Sequence, residues 1–169
     1  MAQTAAVAAL EAKTPWTRAS FRRGLASLTT STAAASRRYA TDARTLATLA
    51  AQVPRCTGDE RGGTPWTSFR REVAVARSVS DQAAGHEIRI ALRLTSVLPC
   101  TLERLRTGQL TIHRARTFVD ELDPYDDSTA RQLDQQLADQ ITQLAPWRIK
   151  QTVRRAALTL EPSWIWRRL

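Results

Sequence analysis

At 169 residues the chain has room for one domain with a tail, and a chain of that size buries roughly 70% of its unfolded surface. Its formal charge of +9, carried by arginine at every basic position except Lys13 and Lys150, points to acidic partners such as nucleic acid, although a GC-rich genome produces the same arginine bias. There is no asparagine, and there are only two histidines and two cysteines. That inventory excludes a catalytic constellation, a C-x-x-C zinc site and a Gly-rich cofactor loop, so the chain is expected to be no enzyme and to hold no cofactor, metal or small-molecule ligand.

In chain order, Thr14-Pro15 reads as a cap followed by proline at the first helical position, which predicts a helix from Pro15 to about Leu28. Thr29–Thr32 reads as a polar break. Ala33–Val53 reads as a second helix, with a seam of Tyr39, Ala43, Leu46, Ala50 and Val53 spaced for packing against a partner helix. The Gly-rich run PRCTGDERGG is the expected linker. The boundaries that follow are 1–53 for N-terminal basic helices, 54–63 for the linker, 64–162 for the main helical domain and 163–169 for an apolar and basic tail.

Thr64-Pro65-Trp66 repeats the helix-start chemistry. Phe69, Val73, Ala76, Ala83, Ile90, Leu94 and Val97 trace one face of a single long helix interrupted by Gly85. Ile88, Ile90, Leu92 and Leu94 alternate as a strand would, but the flanking helical signal decides for helix. Pro99 starts a short helix that Gly108 ends as a C′ glycine. Thr111 caps the next, with Ile112, Ala115, Phe118, Val119 and Leu122 on one side. Asp123-Pro124 opens another with core line Leu133, Leu137, Ile141 and Leu144, and Pro146 opens the last, pointing Ile149, Val153, Ala156 and Leu160 inward. The expected fold is all-α, an irregular bundle of about six to seven helices with no sheet.

From Thr64 onward, EVAVARSVSDQAAGHEIRIALRL, LPCTLERLRTGQLTIHRARTFVDELD and PWRIKQTVRRAALTLEP resemble the actinobacterial domain-of-unknown-function family 222, or 13E12 repeat family. The resemblance implies a helical module that commonly precedes a C-terminal HNH nuclease domain, and hence a chain that continues past Leu169. Leu98–Phe118 is also similar to the segment following the helix-turn-helix of ParB-type partition proteins. That likeness makes Gly85–Leu94 the first helix of such a motif, yet Thr95-Ser96-Val97 runs directly into Leu98-Pro99 and leaves no room for a recognition helix. Leu98–Leu122 is itself read as an αα-corner, because the positions that a helix-turn-helix keeps small or apolar hold Arg104 and Arg114.

Neither His86 nor His113 has the companions of a nuclease metal centre, since the second histidine of H-E-x-x-H is replaced by Ile90. The acids of Asp120–Asp127 read as a helix junction with favourable N-terminal charge. Asp120–Asp139 is strongly acidic and Gln140–Leu169 strongly basic. On the last helix Trp147, Lys150, Arg154 and Arg155 face outward with Leu158, and Arg114 and Arg116 are further basic candidates. Such a face either holds phosphates beside a stacking aromatic or packs against the acidic stretch. The expected role is a non-catalytic DNA-associated module in the cytoplasm, away from membranes. The alternatives are a self-association module built on the Tyr39–Val53 seam and the Trp164–Leu169 tail, or a remnant without activity.

Overall fold

The structure is a computed structural model that describes residues 17–54 and 64–160. The described residues form seven α-helices and one 3-10 turn, with no strand: α1 Arg18–Gln52, α2 Pro65–Arg77, α3 Asp81–Ser96, α4 Pro99–Arg106, α5 Ile112–Leu122, α6 Asp127–Leu137, the turn Gln140–Thr142, and α7 Pro146–Leu160. The expected all-α class is the observed one. The chain divides into two compact units, Met1–Thr32 and Ala33–Leu169. The expected cap at Thr14-Pro15, most of the linker, Cys56 and the Trp164–Leu169 tail lie outside the described residues.

Three expectations about helix ends are corrected. The polar run Thr29–Thr32 does not break the first helix, because the hydroxyls of Thr29, Thr30 and Thr32 donate to the carbonyls of Leu25, Ala26 and Leu28 within it, at 3.0, 2.9 and 2.8 Å. These threonines satisfy themselves on the helix instead of competing with it. At the start of α1, Thr17 and Ser20 form a reciprocal capping box, each side chain accepting from the other's backbone N–H at 3.1 Å.

The single long helix expected across Phe69–Val97 is two. Ser78 takes a left-handed conformation at φ 53°, closing α2 with bonds from its own N–H and that of Val79 to the carbonyls of Val75 and Ala74. Ser80 then caps α3 by accepting from the Ala83 N–H. The alternation at positions 88 to 94 has its cause here. Ile88 and Leu92 face a small cluster with Val73, Ala74 and Ala84, whereas Ile90 and Leu94 face the main core. A helix buried on two sides reads like a strand. The third correction is at Asp123-Pro124: Asp123 ends α5, and Asp126 is the cap of α6, accepting from the N–H groups of Ser128 and Thr129.

The main core gathers Ile90 and Leu94 of α3, Leu102 and Leu105 of α4, Phe118, Val119 and Leu122 of α5, Leu133 of α6, and Ile149 and Val153 of α7, together with Ala40 and Ala43 of α1. Tyr39 and Leu46 pack against it, so most of the seam expected on this helix is used within the chain. Only Val97 and Leu98, both buried, separate α3 from α4, and no helix intervenes there. Gly108, at φ 77°, joins α4 to α5 through a Schellman motif, with Gln109 N–H bonded to the Arg104 carbonyl and Gly108 N–H to that of Leu105. Thr111 caps α5 as expected.

Candidate nucleic-acid interface

Pro146 starts α7, and the helix turns Ile149, Val153 and Ala157 into the core against α5 and α6. The buried line includes Ala157, while Ala156 is half-buried. The opposite side carries Trp147, Lys150, Gln151, Arg154, Arg155 and Leu158, all exposed, with Trp147 60% and Leu158 40% accessible. At 100° per residue Trp147, Gln151, Arg154 and Leu158 make one stripe, with Lys150 on one flank and Arg148 and Arg155 on the other. The Arg148 guanidinium stands 5.0 Å from the centre of the Trp147 ring, a cation–π distance. Arg148 is the residue that sequence reasoning missed. Its position next to Trp147, at the edge of the outward face, was the available signal.

The acidic stretch is committed elsewhere. Arg89 of α3 pairs with Asp120 at 2.8 Å and with Asp123 at 2.6 Å, and also contacts His86 Nδ1 at 3.1 Å. Arg93 pairs with Asp127 and donates to the Leu122 carbonyl. Asp139 pairs with Arg104, Asp126 caps α6, and Asp134 is buried against α4. Only Glu121 reaches α7, meeting Lys150 at 3.5 Å. Among the described residues, the guanidinium groups of Arg148, Arg154 and Arg155 have no acidic partner. The basic helix therefore packs beside the acidic one through apolar contacts, and the acids among the described residues neutralise only Lys150 on it.

Arg114 and Arg116 stand apart from this face. Arg114 donates to the Thr142 carbonyl at 2.9 Å, and with Arg104, which reaches Gln109 and Asp139, it clasps the 3-10 turn. Arg116 lies over the Tyr39 ring at 5.4 Å and contacts Glu87 at 3.3 Å. Burial opposes its charge, but the Tyr39 hydroxyl and Glu87 hold it above the ordinary guanidinium value. Glu87 also meets Arg77, which pairs with Asp42, so this network ties α1, α2, α3 and α5. No three His, Cys, Asp or Glu side chains among the described residues gather to hold a metal ion, and none of the described helices is long and apolar enough to cross a membrane.

A helical bundle that carries arginines around a tryptophan on the outward face of α7 is an all-α module with a cationic surface. The family model described as "Domain of unknown function (DUF222)" matches residues 25–163, and the chain belongs to that family. Comparison with curated proteins and with solved structures gave no match.

Proposed function

We propose that this DUF222 chain is a non-catalytic module that holds DNA by its phosphates, serving an HNH-type nuclease in the cytoplasm. One observation carries the reading: Asp120, Asp123, Asp127 and Asp139 are spent on Arg89, Arg93 and Arg104 and Glu121 on Lys150, which leaves Arg148, Arg154 and Arg155 without an acid among the described residues and open to an outside anion. Guanidinium groups match phosphate geometry and are weakly hydrated, so exchanging water for phosphate costs them less than it costs lysine. Trp147 adds a flat apolar surface for a sugar or an unpaired base.

Three phosphate contacts on duplex DNA give a log–log salt slope of about −2.7, so affinity falls on the order of 40-fold between 50 and 200 mM salt. Fluorescence anisotropy with a duplex of arbitrary sequence is expected to give micromolar binding at the lower salt. Arg154→Ala with Arg155→Ala is expected to weaken it and to flatten the slope by about 1.8. Absence of binding at the lower salt, or a double variant with an unchanged slope, overturns the reading.

A further inference from the structure

The α7 face around Arg148, Arg154 and Arg155 also carries accessible apolar surface, which phosphate contact alone leaves unused. Pro146–Leu160 contains no acid, and its outward stripe runs Trp147, Gln151, Arg154 and Leu158, with Trp147 60% and Leu158 40% accessible. The Arg148 guanidinium, 5.0 Å from the centre of the Trp147 ring, steadies that ring from one side. A stacked guanidinium keeps its N–H donors in its own plane, free to meet a phosphate. Trp147 and Arg154 lie about 10.5 Å apart along the helix axis, a span that a short run of nucleotides bridges. A duplex hides its base faces, and opening one step costs about as much as one stack returns. A single strand presents its base faces without that cost.

Resting on the phosphate reading above, we propose that the α7 face takes single-stranded DNA, with one base stacked on Trp147 and neighbouring phosphates on Arg148, Arg154 and Arg155. Magnitudes decide between strand and duplex. Three contacts release fewer counterions from a single strand, about 0.7 against 0.9 per phosphate, which costs it roughly 2.6-fold at 200 mM salt when referred to 1 M. One base on an aromatic ring returns about 5- to 160-fold. Stacking wins. The preference also grows with salt, because counterion release fades while stacking persists. It is tolerant of sequence, since every base has a π-face.

The test is fluorescence anisotropy on the whole chain at about 200 mM salt with three labelled probes of about ten nucleotides: a thymine strand, an abasic deoxyribose-phosphate strand and a duplex. The thymine strand is expected to bind on the order of tenfold tighter than the abasic strand, and severalfold tighter than the duplex. Trp147→Ala is expected to bring the thymine strand down to the abasic one, while Trp147→Phe keeps most of the gap. Neither variant is expected to change the circular dichroism, since Trp147 lies outside the core. Three results overturn the proposal and leave the phosphate reading standing: equal binding of the thymine and abasic strands, a duplex held as tightly as the thymine strand, or a Trp147→Ala variant that retains the gap. Failure of every probe to bind, at about 50 mM salt as well, overturns both.

Discussion

Replacing Gly108 by alanine is expected to cost about 3 kcal/mol of stability and about 10 °C in Tm. Two independent terms add. Gly108 sits at φ 77°, where an L side chain costs roughly 1–2 kcal/mol, and the Schellman bonds to Arg104 and Leu105 fix it there. A Cβ at this position would also lie 2.8 Å from Arg37 Nη1 and 3.0 Å from both the Cβ and the carbonyl oxygen of Ala33. The arginine tip can swing away. The Ala33 carbonyl is part of the α1 backbone and cannot move without shifting the helix, so overpacking adds roughly 1–3 kcal/mol. Urea denaturation followed at 222 nm measures the sum. Gly24, whose added Cβ meets nothing within 4 Å, is the contrast, and Gly24→Ala is expected to raise helicity. A Gly108→Ala loss below about 0.5 kcal/mol would show that neither the left-handed angle nor the close approach to Ala33 constrains this position.

The features legible in the sequence are those set by a few neighbouring residues. Thr64-Pro65, Thr111 and Pro146 announce helix starts because a cap or a fixed φ acts locally, and Gly108 announces an end for the same reason. The face of α7 was legible because a period of 3.6, kept through Pro146–Leu160, sets Ile149 and Val153 on the side opposite Trp147 and Arg154. The α2–α3 break was not legible, because Ser78 takes up a left-handed angle that glycine or asparagine would ordinarily signal. Nor was the continuity of α1, where threonine hydroxyls reverse the usual meaning of a polar run.

Charge was the least legible property. Net charge along the chain made α6 and α7 natural partners, yet Asp120, Asp123 and Asp127 turn to Arg89 and Arg93, thirty or so positions away in sequence. Arg114 and Arg116 flank the fully buried Ala115, and on so tightly packed a stretch of helix their heads find partners inside the fold. Nothing in the local sequence separates them from Arg154 and Arg155. Only the packing of α5 against the 3-10 turn, and of α1 beside α5, makes the difference.

Asp134→Ala is expected to be the most damaging single change in the bundle, at about 3–5 kcal/mol, because Asp134 supplies a cap that α4 lacks. The residue at the start of α4 is Leu98, which has no side-chain acceptor. Asp134 of α6, fully buried, provides one from another helix, accepting from the N–H groups of Cys100 at 2.8 Å and Thr101 at 3.0 Å and from the Thr101 hydroxyl at 2.5 Å. Removing it leaves these donors unsatisfied, at roughly 1–3 kcal/mol for each buried one, against a total stability of about 5–15 kcal/mol. Thr101→Val, which deletes one donor and keeps the shape, is expected to cost only about 1 kcal/mol. Burial pushes the Asp134 carboxyl above its ordinary value, and the three donors pull it part of the way back. The folded state thus holds this proton more tightly than the unfolded chain. Its contribution to stability is fully present below the unfolded pKa and is lost as pH rises through the folded one. Asp134→Asn does not titrate there, so the stability difference between wild type and this variant is expected to narrow as pH rises through that window. Chemical denaturation at a series of pH values measures it, and a difference that widens instead would mean that the donors, and not burial, set the charge of this carboxyl.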